Sequence, residues 1–352
     1  MKSCYINGIG CVSAQNTTRE SASFKDFQEL TENVVSAHKP NYKTFIKPAM
    51  IRRMANGVKM GVVASSLAMN EAGIDLPQAI ITGTGMGCLI DSDKFLKNLI
   101  DNKEEYLTPT SFIQSTHNTV GAQIALGLEC KAYNVTYVHA ATSFESSLID
   151  GMLMLTEEVD NVLVGGVDEL GPYTTELHKL IDHVKDEDSL SEGILASKSK
   201  GAIFSEGAQF FVLENEKKKN TYAELRALTI INTPTENELK HKLLLFLREN
   251  NLEIQDIDLL ICGNNGDVEF DSFYLNLQRS IFKNTQQVFY KHLCGEYNTV
   301  SAFGMYTACQ LMRSQTVPDI LKLNNVKVES IRNILLYNQY RGENHSFTLL
   351  SL

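Results

Sequence analysis

Little in this 352-residue chain carries the marks of an exported, metal-bound or nucleic-acid-bound protein. Its seven cysteines, at positions 4, 11, 88, 130, 262, 294 and 309, include no CxxC pair, and their number is odd. A disulfide scaffold and a zinc site are therefore poor readings, and a reducing, cytoplasmic setting is the expectation. Basic charge is short, with 32 Lys and Arg against 42 Asp and Glu. The resulting net charge of −10 lacks the electrostatic footprint of a nucleic-acid binder. No apolar run reaches the ~18 to 20 residues of a membrane span. The opening Met1-Lys2-Ser3-Cys4-Tyr5-Ile6 leads straight into a strand pattern, so no targeting segment is expected. Proline is scarce at 7 residues, and 43% apolar content with 21% charge excludes a disordered or collagen-like chain.

Nucleotide and hydrolase motifs are missing as well. There is no G-x-x-x-x-G-K-[ST] loop, no H-E-x-x-H and no G-x-S-x-G elbow. Gly83-Thr84-Gly85-Met86-Gly87 brings its third glycine one residue too early for G-x-G-x-x-G, so it reads as a tight turn. No cofactor and no metal are expected.

What is present is a rhythm of strands and helices. Apolar runs at Cys4 to Val12, Ala79 to Thr82, Asn134 to His139, Asn161 to Val167 and Ala208 to Leu213 predict buried strands. Between them, Met60, Val63, Ala64, Leu67 and Ala68 recur at helical spacing, as do Phe144, Leu148, Met152 and Leu155. Thr119 to Leu128 reads as a third helix. The charged run Glu216-Lys217-Lys218-Lys219-Asn220 is the best internal boundary and reads as a solvated linker. Beyond it the rhythm restarts, with strands at 224–231, 257–262, 287–290, 333–337 and 346–350 and helices at 236–248, 270–282 and 300–312. The expectation is an α/β architecture of two related halves, 1–215 and 221–352, joined by 216–220, with largely buried sheets.

The segment from Asn134 to Leu148 carries the chemistry. A buried strand runs through small residues directly into an amphipathic helix, presenting one side chain at a helix N-terminus where an anion or thiolate is favoured. Ala140-Ala141 stands there, with no thiol. Thr142 and Ser143 follow, and helix capping suits them better than nucleophilic use, because adjacent residues in such a turn rarely face a base. His117 reads as a structural or pocket-lining histidine, Cys262 as a core thiol and Glu206 as the fixer of a turn.

The chain resembles the β-ketoacyl synthases, the condensing enzymes of the thiolase-like fold. INGIGCVS, ITGTGMG, SFIQSTHNTVGAQIALGL, NVLVGGVDE and IFSEGAQFFVLEN match the family's landmarks in order, and KHLCGE near residue 292 matches more weakly. The resemblance implies a layered αβαβα fold with mixed sheets. It also implies a site in which a Cys takes an acyl chain from an acyl carrier protein. Two His residues then assist decarboxylation and hold the enolate oxygen. Aligned on the family's A-C-[ST]-S, AATS puts Ala141 at the nucleophile position. The family's first His falls on Gly263 in Cys262-Gly263-Asn264-Asn265-Gly266-Asp267, and the second is expected at His292. The family's Gly-Phe-Gly-Gly loop is altered to Gln339-Tyr340-Arg341-Gly342-Glu343-Asn344.

Within the family the chain resembles the chain-length factors of type II polyketide and aryl-polyene pathways. The resemblance implies a non-catalytic subunit that pairs with an active ketosynthase and shapes its acyl tunnel. Phe112, His117, Ala140, Thr142 and Phe144 are then the candidates for pocket or dimer surface. Chain-length factors carry Gln at the nucleophile position, which Ala141 cannot mimic. Docking of an acidic acyl carrier protein would need a basic patch, for which Arg52, Arg53 and Lys59 are candidates, or the partner subunit's charge. Two other readings stay open: an acyltransferase or malonyl decarboxylase rebuilt around His292, and a stand-alone acyl-binding scaffold.

Overall fold

Strands of up to ten residues alternate with helices that fill the connections between them. The computed structural model describes residues 3–19, 23–107, 109–156, 159–190 and 192–352. The first half contains, in order, β1 (Tyr5–Val12), β2 (Val34–Val35), α1 (Pro48–Ile51), α2 (Asn56–Ala72) and β3 (Ala79–Gly83). It continues with α3 (Leu89–Asp101), α4 (Pro109–Ser115), α5 (Thr119–Leu128), β4 (Tyr133–Tyr137) and α6 (Ser143–Met154). β5 (Asn161–Asp168), α7 (Pro172–Leu180), β6 (Phe204–Ser205) and β7 (Gly207–Glu214) close it. The second half runs β8 (Ala223–Asn232), α8 (Glu236–Glu249), β9 (Leu259–Cys262), α9 (Ser272–Arg279) and β10 (Gln286–Phe289). It ends with α10 (Lys291–Cys294), α11 (Ser301–Ser314), β11 (Asn333–Tyr340) and β12 (Asn344–Ser351).

The main strands lie in the order β10-β9-β11-β12-β8-β1-β7-β5-β3-β4. β8 and β1 pair only through Tyr5 with Glu224 and Ile6 with Ala223, so this ten-stranded order consists of two five-stranded arrays joined by a short ladder. Apart from the short β2–β6 pair, each half has one topology. Its first strand lies beside its fifth, then come the fourth, second and third. In both arrays the fifth strand is antiparallel to its neighbours and the inner pairs are parallel. That repeated order is the two related halves with mixed sheets expected from the sequence.

Burial follows the layers. α6 touches β3 and β5 of the first array and β8 of the second, while α11 touches β1, β7, β9 and β11. These two helices form the central layer. Gly8 and Gly10 let α2 approach β1 so closely that a Cβ at Gly10 would lie 1.9 Å from the Ala64 carbonyl oxygen. α2 and α5 cover the outer face of the first array; Leu239, Leu243, Phe246 and Leu247 of α8 and Leu277 of α9 cover the second. β9 shows the period of two that such layers require: Leu259 and Ile261 face the central core, Leu260 and Cys262 the outer one. The run 216–220 crosses between halves but is tied down. Lys218 Nζ pairs with Glu214 and reaches the Ala72 carbonyl, and Asn220 Nδ2 donates to the carbonyls of Asn7 and Glu71. No helix among the described residues is long and apolar enough to cross a membrane.

Candidate functional site

The strand-to-helix turn is an elbow. After β4, the chain passes through His139 into Ala140, whose φ is +49°, a left-handed conformation that costs a non-glycine residue about 1 kcal/mol or more. A one-turn helix at Ala140–Thr142 then feeds α6. Gly83 makes room for the elbow, since a Cβ there would lie 2.5 Å from the Ser143 carbonyl oxygen. Ser143 Oγ staples the turn, accepting from His139 N at 2.8 Å and lying 2.9 Å from the Thr84 carbonyl, to which it donates.

This geometry distinguishes the two alanines and corrects one expectation, the capping role of Thr142. The side chain at the strained, exposed position is Ala140, whereas Ala141 is buried beneath it. Ala141, the expected nucleophile position, and the exposed Ala140 before it both carry only a methyl group. Thr142 does not cap α6: its Oγ1 donates to the His139 carbonyl, and no side-chain cap bond exists at that helix start. His139 itself is exposed, with Nδ1 3.1 Å from Ser146 Oγ.

The second half carries the other expected site positions. Gly263 follows β9, and a Cβ there would lie 2.6 Å from Asn338 Oδ1, 2.6 Å from Tyr274 OH and 3.0 Å from Lys291 Cε. The space an imidazole would need is filled. Lys291 is fully buried, and its Nζ lies 3.0 and 2.8 Å from the two Glu296 carboxylate oxygens. Asn265 Nδ2 donates to the same carboxylate at 2.7 Å. Glu296, Tyr297 and Asn298 line a cavity of about 60 Å³ with Asp168, His178, Phe204 and Tyr340, room for a few waters rather than an acyl chain. Asp168 joins the halves there, accepting from Gly85 N and from the amide and hydroxyl of Thr299.

His292 does not belong to this constellation. In the short turn of α10 successive side chains diverge by about 100°, so His292 leaves the site that Lys291 enters. Its ring stacks on Phe289 at 3.8 Å, and Nε2 donates to the Ile320 carbonyl at 2.8 Å. Burial holds its pKa down to about 4, so it is a neutral core histidine. Phe144 is likewise in the core, 1% exposed and tilted against Phe211, and faces no outer surface. Phe112, by contrast, is exposed on α4 and packs against Phe95 with ring centroids 5.3 Å apart. His117 is exposed, its ring passing close to Gly87. Glu206 fixes backbone, accepting from Ala37 N and Leu170 N. No group of three or more metal-ligating side chains gathers among the described residues.

The Lys291–Glu296–Asn265 cluster went unforeseen. A lysine directly after the apolar run Val288-Phe289-Tyr290 was the available signal, because a buried charge requires a partner.

A family model for the N-terminal domain of β-ketoacyl synthases matches residues 10–219. The chain belongs to the β-ketoacyl synthase family. Its structure is similar to the ishigamide ketosynthase/chain length factor, at 18% identity over 99% of each chain with a TM-score of 0.78. A β-ketoacyl synthase from Burkholderia phymatum STM815 aligns at 17% identity, TM-score 0.79, over 100% of this chain and 99% of that one. AntDE:AntF, a type II polyketide acyl carrier protein in complex with its ketosynthase bound to the hexaketide, gives 14% identity and a TM-score of 0.75. That match covers 100% of this chain and 99% of the other. At these identities the structures establish the thiolase-like ketosynthase fold. A search of curated sequences returns no match.

Two measurements check the geometry. In an Ala140→Cys variant the new thiol is alkylated by iodoacetamide faster than that of Ala141→Cys, by roughly tenfold or more, because only the first is exposed. Equal rates contradict the assignment of the elbow. The second concerns His292, whose folded pKa lies below its ordinary 6.5. Above that pH it is neutral in both states; as pH falls from 6.5 towards 4 the unfolded chain takes up a proton the folded chain refuses, so stability falls. In urea unfolding, His292→Gln shrinks the stability lost between pH 7.5 and pH 5 by roughly 2 kcal/mol. An unchanged loss shows that His292 is not held neutral.

Proposed function

We propose that this chain is a non-catalytic, chain-length-factor-like subunit that pairs with an active ketosynthase and helps shape its acyl tunnel. The observation that carries the reading is the elbow. A thioester needs a sulfur, and Ala140 and Ala141 offer only methyl groups. The second half reinforces it, because the Gly263 space is occupied by Tyr274, Asn338 and Lys291, and the small cavity ends against a carboxylate already bound to an ammonium. A site rebuilt around His292 finds no support, since that ring is turned into the core.

The two ends of the sheet differ in how they are covered. One end of the strand order, β10, is covered by the bridge from Val288 to Lys322 and by Leu323 N donating to the Gln287 carbonyl. The other end, β4, is open, with Tyr133 exposed and Val135 and Tyr137 half-buried. Beside it, Val138, Ile149 and Leu153 are exposed apolar residues on the elbow and α6. An open edge flanked by apolar side chains invites a second sheet. Phe112, exposed on α4, is the candidate for limiting the length of a chain held between subunits.

Charge suits a second partner. Residues 34–70 carry Lys39, Lys43, Lys47, Arg52, Arg53 and Lys59 and not one Asp or Glu, on a chain of net charge −10. That segment is the natural landing for an acidic acyl carrier protein.

The test is co-expression with a Cys-containing ketosynthase followed by native mass spectrometry. A 1:1 heterodimer is expected, and Val138→Glu with Leu153→Glu weakens it by at least about tenfold while leaving the fold intact. A strict homodimer that ignores the ketosynthase overturns the reading.

A further inference from the structure

Lys185, between α7 and β7, is 1% exposed, and none of the ion pairs among the described residues includes it. Its Nζ is surrounded by neutral oxygens: the Gly266 carbonyl at 2.8 Å, Ser197 Oγ at 3.1 Å, the Ser199 carbonyl at 3.1 Å and Ser199 Oγ at 3.3 Å. A buried cation ordinarily takes a carboxylate. Here Asp267, Asp271 and Asp186 act on the ammonium only from a distance, and burial lowers its pKa. Carbonyls and hydroxyls that replace a hydration shell around a single positive charge are what a monovalent cation site presents.

The oxygens come from both halves of the fold. Ser197 and Ser199 belong to the segment before β7, and Gly266 to the loop that follows β9. That loop turns on Gly266 at φ +75°, where a Cβ would strike the Ile194 carbonyl at 2.1 Å, and Asp271 accepts from its amide. The preceding residue, Asn265, grips Glu296. Holding Gly266 therefore holds the loop that closes the Lys291–Glu296 cluster.

We propose that Lys185 serves as a tethered monovalent cation, a positioning residue locking the 197–199 segment to the Gly266 loop within an oxygen cage that takes up K⁺ or NH₄⁺ once the lysine is removed. The test uses the full chain and its Lys185→Ala and Lys185→Met variants in tetramethylammonium chloride, KCl and NH₄Cl at equal ionic strength. Two readouts are followed: the thermal midpoint, and modification of the Cys262 thiol, which lies buried at the foot of the Gly266 loop. In tetramethylammonium, Lys185→Ala melts several degrees lower than the parent and its Cys262 reacts at least about tenfold faster. NH₄⁺ or K⁺ restores both readouts with a saturable dependence, while the parent chain is indifferent to the salt. If Lys185→Ala does not fold in tetramethylammonium, refolding yield in NH₄Cl replaces the midpoint. Equal damage in every salt, failure to refold in all of them, or a Lys185→Met variant as stable as the parent overturns the proposal.

Discussion

An ammonium and a carboxylate meet out of water where the two halves of this protein join, and the rest of the site is arranged around them. Lys291 and Glu296 are both buried, and each would be intolerable alone. Stripping one of its partner costs about 3–5 kcal/mol, whereas the intact pair adds little to net stability. What the pair contributes is occupancy. It places a stem, a charge and a countercharge in the space beside Gly263. Tyr274 and Asn338 close on Gly263 from the other side. Asn265 then links the carboxylate to the loop after β9, so pocket, loop and charge form one satisfied network.

The duplicated topology explains why the site lies there. Each five-stranded array contributes a central helix, and α6 and α11 touch one another. Asp168, at the end of β5, bonds both the Thr84–Gly85 turn of its own half and the start of α11 at Thr299. Side chains from either half therefore reach a common cavity without leaving rigid elements. The fold of the β-ketoacyl synthase family is kept around an elbow of two alanines.

The sequence discloses the scaffold well and the site unevenly. Strands buried on both faces announce themselves as continuous apolar runs, and the Thr119–Leu128 helix has the limits its periodicity suggests. α3, α4 and α7 escape notice because they lie at the surface with polar, short or mixed faces: none of α3 is buried, and only Thr175 of α7 is. The missing thiol is legible because both elbow residues are alanine, although which one bears the strain depends on a backbone angle that no pattern reveals. His292 misleads for a different reason. Its residue type suits the chemistry, but the direction of a side chain in a single helical turn depends on where that turn begins. An apolar stripe on α6 does not tell which layer it packs against, and Phe144 lies in the central one.

The central claim is that this chain holds no acyl group covalently and leaves that role to a partner. Its most direct measurement is intact-protein mass spectrometry of the complex with a Cys-containing ketosynthase, quenched after mixing with acyl-loaded carrier protein. The acyl mass is predicted on the ketosynthase subunit alone, with this chain unmodified. An acyl increment on this chain, labile to hydroxylamine as a thioester is, would contradict the account.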